Sequence, residues 1–291
     1  MSETSNTKPL IRARNLGKSY GKKVALADVN LSIPAGRIVG LIGPNGAGKT
    51  TCLKAILGMT TFQGELEVLG LHPQKQRNQL MEHVTYIADV AVLPRWIRAD
   101  QLIKLTAASH PRFSTERCLE LLKLTNVKLT DRVKSLSKGM IVQLHLALIM
   151  AIDAKVLVLD EPTLGLDILY RKQFYSQLLN DYFGEDRTII VTTHQVEEIE
   201  HILTDVIFVK NGRLALNESM DEVHEHYFEV AVSSENAERA RQLGPMSERS
   251  LLGRHVFLFG NRSREELEAL GEIHSPSIAD LFVAFMQGSR A

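Results

Sequence analysis

The sequence predicts an α/β fold built around a parallel β-sheet that carries a phosphate-binding loop. Two apolar runs without alternation, residues 38–42 and 156–159, are typical of parallel strands that are covered on both faces. The first run leads into a glycine-rich segment, residues 43–50, and the second ends in the acidic pair Asp160 and Glu161. Because such sheets bind ligands at the carboxyl ends of their strands, we expect these two segments to form one site.

The glycine-rich segment has the G-x-x-x-x-G-K-[ST] pattern of a phosphate loop, and its residues are Gly43, Pro44, Asn45, Gly46, Ala47, Gly48, Lys49 and Thr50. Glycines let several backbone N–H groups point at one anion, and a helix N-terminus adds partial positive charge. Lys49 is predicted to reach the β- and γ-phosphates of a nucleotide, Thr50 to bind Mg2+, and Thr51 to complete the binding segment. A chance glycine-rich turn is the alternative, which the strand-like run before the loop and the helical pattern after it disfavour.

The acidic pair at the end of the second apolar run predicts the other half of the site. Asp160 is expected to hold the Mg2+ shell, directly or through water, while Glu161 is a candidate general base that positions the attacking water. An acidic pair after an apolar run is usually a solvated strand end. The acidic pair indicates a nucleotide-hydrolysing site only because the chain also has a phosphate loop.

Three more short motifs occur in the chain. They are residues 136–140 (Leu-Ser-Lys-Gly-Met), residues 164–167 (Leu-Gly-Leu-Asp), and a strand-like run that ends in His194. With the phosphate loop and the acidic strand end, they resemble the motif order of an ATP-binding cassette (ABC) ATPase over about residues 10–216. Each short motif is weak alone, but five in this order are specific. The resemblance implies a P-loop ABC core with an antiparallel β subdomain and an inserted α-helical subdomain, with ATP and Mg2+ as cofactors.

The resemblance also assigns roles to particular residues. Tyr20 matches the aromatic residue that stacks on adenine, and His194 matches the histidine that contacts the γ-phosphate. Ser137 and Gly139 match the signature loop that caps the γ-phosphate bound to the opposite subunit, and Asp167 matches the loop that crosses the dimer interface. The catalytic unit implied is a head-to-tail dimer with two composite sites, in which ATP holds the subunits together.

Four positions depart from the family pattern. Lys138 and Met140 replace common residues of the signature, and Gln143 stands where an arginine is frequent. Asp89 occupies the position of the glutamine that touches Mg2+ and the membrane partner, so it is expected to be a variant metal ligand. The alternative is an acidic loop residue with no metal contact.

The predicted organisation is an ABC domain over residues 8–220, with the helical subdomain at about 90–152, followed by a C-terminal α+β extension over residues 221–291. In the extension, Phe228, Val230 and Val232 alternate as in a strand, and Ser263 and Ser277 have capping-box spacing. In the helical subdomain, Leu119, Leu122 and Leu124 are expected in the core. Trp96 is either a contact for a protein partner or a core residue.

Composition limits the partners. Lys and Arg total 34 and Asp and Glu total 34, so no overall field favours nucleic acid, and no apolar run approaches the roughly 20 residues that span a bilayer. The two cysteines lack metal or redox spacing, which indicates a reduced cytosolic compartment. We expect a peripheral protein on the inner face of the cell membrane, bound to a separate permease and paired with a second copy, in a bacterial exporter. The alternatives are a soluble ABC ATPase of translation or DNA repair, and a nucleotide-binding scaffold with little turnover.

Overall fold

The computed structural model of the chain describes residues 8–88, 93–164, 166–193, 195–251 and 254–287, so Asp89 and His194 lie outside the described residues. The strands are β1 Ile11–Tyr20, β2 Lys23–Ile33, β3 Ile38–Ile42, β4 Gln63–Val68, β5 Val84–Ile87, β6 Val156–Asp160, β7 Thr188–Thr192, β8 Asp205–Lys210, β9 Arg213–Ser219, β10 Tyr227–Val232, β11 Ser247–Leu251, β12 Arg254–Gly260 and β13 Gly271–His274. The α-helices are α1 Lys49–Ile56, α2 Arg77–Met81, α3 Ala99–Ser109, α4 Thr115–Lys123, α5 Lys138–Met150, α6 Ile168–Gln177, α7 Val196–Ile199, α8 Met220–His226, α9 Ala237–Gln242, α10 Arg264–Glu268 and α11 Ile278–Gln287.

The central sheet has six strands in the order β5-β6-β7-β3-β8-β9. The first five are parallel, and β9 joins β8 as an antiparallel hairpin, so the predicted parallel sheet is confirmed. Every residue of β3, β6 and β7 is buried. Val156 and Val158 pack on one side of the sheet and Leu157 and Leu159 on the other, which explains an apolar run without alternation.

A second sheet, of order β2-β1-β4, is antiparallel and covers one side of the central sheet. Leu53 and Ile56 of α1 lie in one buried cluster with Ile11 and Leu16 of β1 and Val158 of β6. The helix that follows the phosphate loop is therefore held between the two sheets. This packing sets the position of the loop relative to the end of β6.

Helices α3, α4 and α5 lie between β5 and β6 in the chain and pack on the other side of the central sheet. Leu122 is buried in that core and Leu119 packs against it, as expected. The expectation for Leu124 is wrong: it follows the last residue of α4 and is exposed, because the helix ends before that side chain turns inward. Trp96 is 71% exposed, so its interpretation as a core residue is also wrong.

The C-terminal part forms a four-stranded antiparallel sheet of order β11-β12-β10-β13. One face packs on α9 and α10, and the other contributes Tyr227 and Leu258 to a cluster with Phe208 of β8. The predicted caps are confirmed: Ser263 accepts a hydrogen bond from Glu266 N, and Ser277 from Asp280 N.

Helix α11 is held at its start by the turn that follows α7 and at its end by β8 of the central sheet. Glu200 Oε1 accepts a hydrogen bond from Ile278 N at 3.0 Å, and Lys210 Nζ donates to the carbonyl oxygens of Phe285 and Met286 at 3.0 and 2.9 Å. Among the helices of the described ranges, none has the length and apolar character needed to cross a membrane.

Candidate nucleotide-binding site

A cavity of about 380 Å3 opens between the phosphate loop and the carboxyl end of β6. Its lining consists of Tyr20, Lys23, Ala25, Asn45, Gly46, Ala47, Gly48, Lys49, Thr50, Thr51, Asp160 and Glu161. The structure thus brings together the two segments that the sequence separates by about a hundred residues. Lys23 and Ala25, on β2, also line the cavity and were not predicted, because no phosphate-binding sequence pattern includes them.

The loop has the backbone geometry that its glycines predict. Gly46 and Gly48 have positive φ angles of 80° and 117°, and Gly48 is the residue before the first turn of α1. A Cβ atom on Gly48 would lie 2.5 Å from the carbonyl oxygen of Ala25, so the loop passes too close to β2 for any side chain there. Gly48, Lys49, Thr50 and Thr51, at the start of α1, all line the cavity, and a helix N-terminus is favourable for binding phosphate.

Lys49 is buried, with 8% of its surface exposed. Its Nζ donates to the carbonyl oxygen of Gly43 at 2.6 Å and to that of Pro44 at 3.3 Å, so these two residues hold the lysine and do not line the cavity. Burial lowers the pKa of Lys49, and the nearby carboxylates of Glu161 and Asp160 oppose that shift. Lys49 and the two acidic residues all line the same cavity.

Asp160 and Glu161 are held by Thr192, the last residue of β7. Asp160 and Thr192 are paired in the sheet, and Thr192 Oγ1 donates to Asp160 Oδ1 at 2.5 Å. Glu161 N donates to Thr192 O at 3.0 Å and lies 3.3 Å from its hydroxyl oxygen. Glu161 has a φ of 50°, a conformation uncommon outside glycine that is often found at functional sites.

Thr192 was not predicted as a functional residue. The sequence shows it only as part of an apolar strand, and no local pattern indicates that its hydroxyl would meet a carboxylate of another strand. The threonine is completely buried and does not line the cavity. Its role is to hold the acidic pair in place through hydrogen bonds.

Tyr20 lies at the rim of the cavity and is 47% exposed, which leaves its ring accessible to a flat ligand. Lys18 Nζ lies 4.9 Å from the ring centroid, and Thr60 Oγ1 is 3.4 Å from the phenol oxygen. The side-chain hydrogen bond between Tyr20 and Thr60 lowers the pKa of Tyr20.

Ser137, Gly139 and Asp167 do not line this cavity. Ser137 Oγ accepts from Met140 N at the start of α5, and Asp167 Oδ1 accepts from Tyr170 N at the start of α6. A Cβ on Gly139 would lie 3.9 Å from Leu166 and 4.0 Å from Tyr170, so the two helix starts are neighbours. These predicted residues form a second patch on the surface, separate from the phosphate loop of the same chain.

A phosphate loop at the end of a central parallel strand, opposite an acidic strand end, defines the class of P-loop ATPases. The ABC transporter family model matches residues 26–164, and a model of an AAA domain, described as a putative AbiEii toxin of a type IV toxin–antitoxin system, matches residues 130–200. The lantibiotic transport ATP-binding protein SrtF of Streptococcus pyogenes is 31% identical over 215 residues, which are 73% of this chain and 92% of that protein. The chain belongs to the family of ABC transporter ATP-binding subunits, which are ATPases.

Other relatives and solved structures agree with this family. The Nod factor export ATP-binding protein I of Rhizobium meliloti is 35% identical over 209 residues, covering 67% of this chain and 60% of that protein. The sulfate/thiosulfate import ATP-binding protein CysA of Synechocystis is 32% identical over 228 residues, covering 73% of this chain and 61% of that protein. A solved ATP-binding subunit of an ABC transporter superposes with a TM-score of 0.68 at 24% identity, covering 74% of this chain and 92% of that one, which supports the fold alone.

Proposed function

We propose that this chain hydrolyses ATP in the cavity beside the phosphate loop and thereby drives transport through a separate membrane permease, in the direction of export. The observation that carries the proposal is the placement of Lys49, Asp160 and Glu161 around one open space. Phosphoryl transfer needs positioning and charge compensation more than covalent chemistry, and this site offers both.

The roles follow from charge and position. The phosphates lie on the loop, Lys49 compensates their charge, and the Tyr20 ring stacks on the base. Glu161, next to the magnesium ligand and fixed through Thr192, holds the attacking water and accepts its proton. His194 is proposed to contact the γ-phosphate, and Asp89 to lie near the metal; both are assignments by position in the sequence.

The donor set fits Mg2+. Thr50 and Asp160 both line the cavity, and a hydroxyl with one carboxylate leaves positions for phosphate oxygens and water, as Mg2+ prefers. The metal, when bound, would neutralise charge on the transferred phosphoryl group. The chain's own part is to keep Asp160 in a fixed orientation, which the short hydrogen bond from Thr192 supports.

A second copy of this chain is the proposed partner across the ATP. Ser137 and Asp167 are exposed at two adjacent helix starts, away from their own chain's cavity. Three exposed apolar residues lie within three positions of Asp167 in the chain, namely Leu164, Ile168 and Leu169. Such a patch is unusual on a free surface and suits burial against another protein when ATP is bound.

The permease and the export direction are supported by several observations. Trp96 is exposed on the segment before α3, and aromatic residues of this kind are frequent anchors in interfaces. The Leu-Ser-Lys-Gly-Met signature and the C-terminal helix resemble those of bacterial export ATPases, and one relative is named for export. The protein would then lie on the inner face of the membrane through its permease.

The test compares three purified variants with the wild type in ATP binding and ATP hydrolysis. Glu161→Gln should bind ATP normally while its turnover falls by about 10²- to 10⁴-fold, because the general base is removed. Lys49→Ala should lose ATP affinity, since the charge facing the phosphates is gone. Glu235→Gln, an exposed carboxylate remote from the site, serves as the control and should match the wild type. Unchanged turnover in Glu161→Gln would contradict the proposed chemistry.

The Glu161→Gln protein also tests the partner. With ATP and magnesium it should recover a membrane protein with several spans from detergent-solubilised membranes. Recovery of ribosomal or DNA-repair proteins without a membrane protein would contradict the transport role. With the permease identified, ATP-driven accumulation of its substrate in inside-out vesicles would support export, and ATP-driven loss would show import.

A further inference from the structure

The side chain of Arg171, in the first turns of α6, joins two loops that follow neighbouring strands. Its Nε donates to the carbonyl oxygen of Leu166 at 2.8 Å. Its Nη1 donates to Gln195 Oε1 at 2.5 Å and to Glu198 Oε1 at 2.6 Å. One guanidinium group therefore connects the residue before Asp167 with the residue after His194.

This connection reaches the loops at points where their backbones lack sheet partners. Leu166 lies between β6 and α6, and Gln195 lies between β7 and α7. Gln195 N also donates to Thr193 Oγ1 at 3.0 Å, which fixes the start of the second loop. A second contact ties α6 to the first loop, since Tyr175 Oη and Thr163 Oγ1 are 3.3 Å apart and both residues are buried.

The environment of Arg171 makes these bonds stronger than ordinary surface contacts. Its side chain is 17% exposed, and that of Glu198 is 30% exposed. Charge-assisted hydrogen bonds in such partly buried sites are shorter and stronger than those between neutral groups. The planar guanidinium offers several donors in a fixed geometry, whereas the lysine ammonium is a point charge that cannot reach three separated acceptors together.

We propose that Arg171 is a positioning residue that makes the Asp167 loop and the His194 loop move as one unit. This inference rests on the proposed function, in which the first loop meets the second subunit and the second loop meets the γ-phosphate. Formation of the ATP-dependent dimer would press on the Asp167 loop, and Arg171 would transmit that displacement to the loop that carries His194. Hydrolysis would thereby depend on the presence of the second subunit.

The competing explanation is an ion pair that only stabilises the fold. Arg187 provides a matched control: it is 25% exposed, donates to Asp153 Oδ1 at 2.7 Å and to Tyr182 O at 2.8 Å, and bonds to neither loop. Arg187→Ala should lower the melting temperature and leave kcat unchanged. A stabilising role alone predicts the same result for Arg171→Ala.

The experiment measures kcat, KM for ATP, ATP affinity of the monomer and melting temperature for Arg171→Ala, Arg171→Lys and Glu198→Gln. We expect kcat to fall by about tenfold or more in both Arg171 variants, while the ATP affinity of the monomer stays within about twofold. Combining Arg171→Ala with Glu198→Gln should lower kcat by less than the product of the single effects, because both remove one connection.

In the Glu161→Gln background, Arg171→Lys should raise the ATP concentration needed for dimer formation. Normal kcat and normal dimer formation in Arg171→Lys and Glu198→Gln, with loss of melting temperature only, would overturn the inference while leaving the proposed function intact. These two variants keep the test decisive if Arg171→Ala does not fold. Wild-type turnover in Glu161→Gln would overturn both the proposed function and this inference.

Discussion

Replacement of Thr192 by valine tests how the acidic end of β6 is held. Valine has nearly the same volume and the same branching, so the packing of β7 is kept while the hydroxyl is lost. That hydroxyl donates to Asp160 Oδ1 at 2.5 Å from a completely buried position. A hydrogen bond to a charged group contributes about 1.5–3 kcal/mol, so Thr192→Val should lower the free energy of unfolding by this amount.

For domains of 150–250 residues, each kcal/mol shifts the melting temperature by about 2–4 °C, so the expected decrease is roughly 3–12 °C. The magnesium requirement should change as well. Asp160 would lose the donor that orients it, and such supporting contacts are typically worth about 10- to 100-fold in metal affinity. Glu161 keeps its backbone bond to Thr192 O, so turnover at saturating magnesium should fall less than the magnesium affinity.

The assay combines thermal unfolding with ATP hydrolysis during a magnesium titration at fixed ATP. Thr192→Ser is the matched control, because it keeps the hydroxyl and loses only a methyl group, and its magnesium dependence should resemble the wild type. If Thr192→Val is as stable as the wild type and needs no more magnesium than Thr192→Ser, the hydroxyl does not position Asp160 and this reasoning is refuted.

Two further predictions concern backbone geometry and pH. Gly48→Ala should destabilise the protein by about 1–3 kcal/mol or more, because it forces a side chain into a φ of 117° and against the Ala25 carbonyl. Gly46→Ala, with positive φ but open space, should lower the melting temperature less, and equal effects would contradict the close approach. The pKa of Asp153 is lowered from its ordinary value of 3.8, mainly by the hydrogen bond from Arg112. The ionised carboxylate therefore stabilises the fold above pH 3.8, and this stabilisation is lost as the pH falls through the pKa of the folded state. Asp153→Asn should therefore be less stable than the wild type at pH 6 and approach it below pH 3 in denaturant unfolding, and a constant difference across this range would contradict the assignment.

The C-terminal sheet illustrates how local and distant information differ. The caps of α10 and α11 were predicted from serine and acidic residues three positions apart, which interact within one turn of helix. The attachment of α11 to Glu200 and Lys210 was not predictable, since these contacts join positions more than 70 residues apart. They are brought together by a buried cluster in which Phe208 packs against Phe282 and Phe285 of the C-terminal helix.

The local parts of the protein could be predicted from residues that are close together in the chain. The phosphate loop, the apolar strands that lead to it and to Asp160, and the order of the motifs depend on contacts among residues close in the chain, so pattern and spacing suffice to predict them. Which strands are neighbours could be learned only from the folded chain. The tertiary structure placed Thr192 against Asp160 and Arg171 between two loops, and it left Trp96 and Leu124 exposed. The physical reason is that strand register and helix packing are set by burial over the whole chain, which a short sequence pattern does not specify.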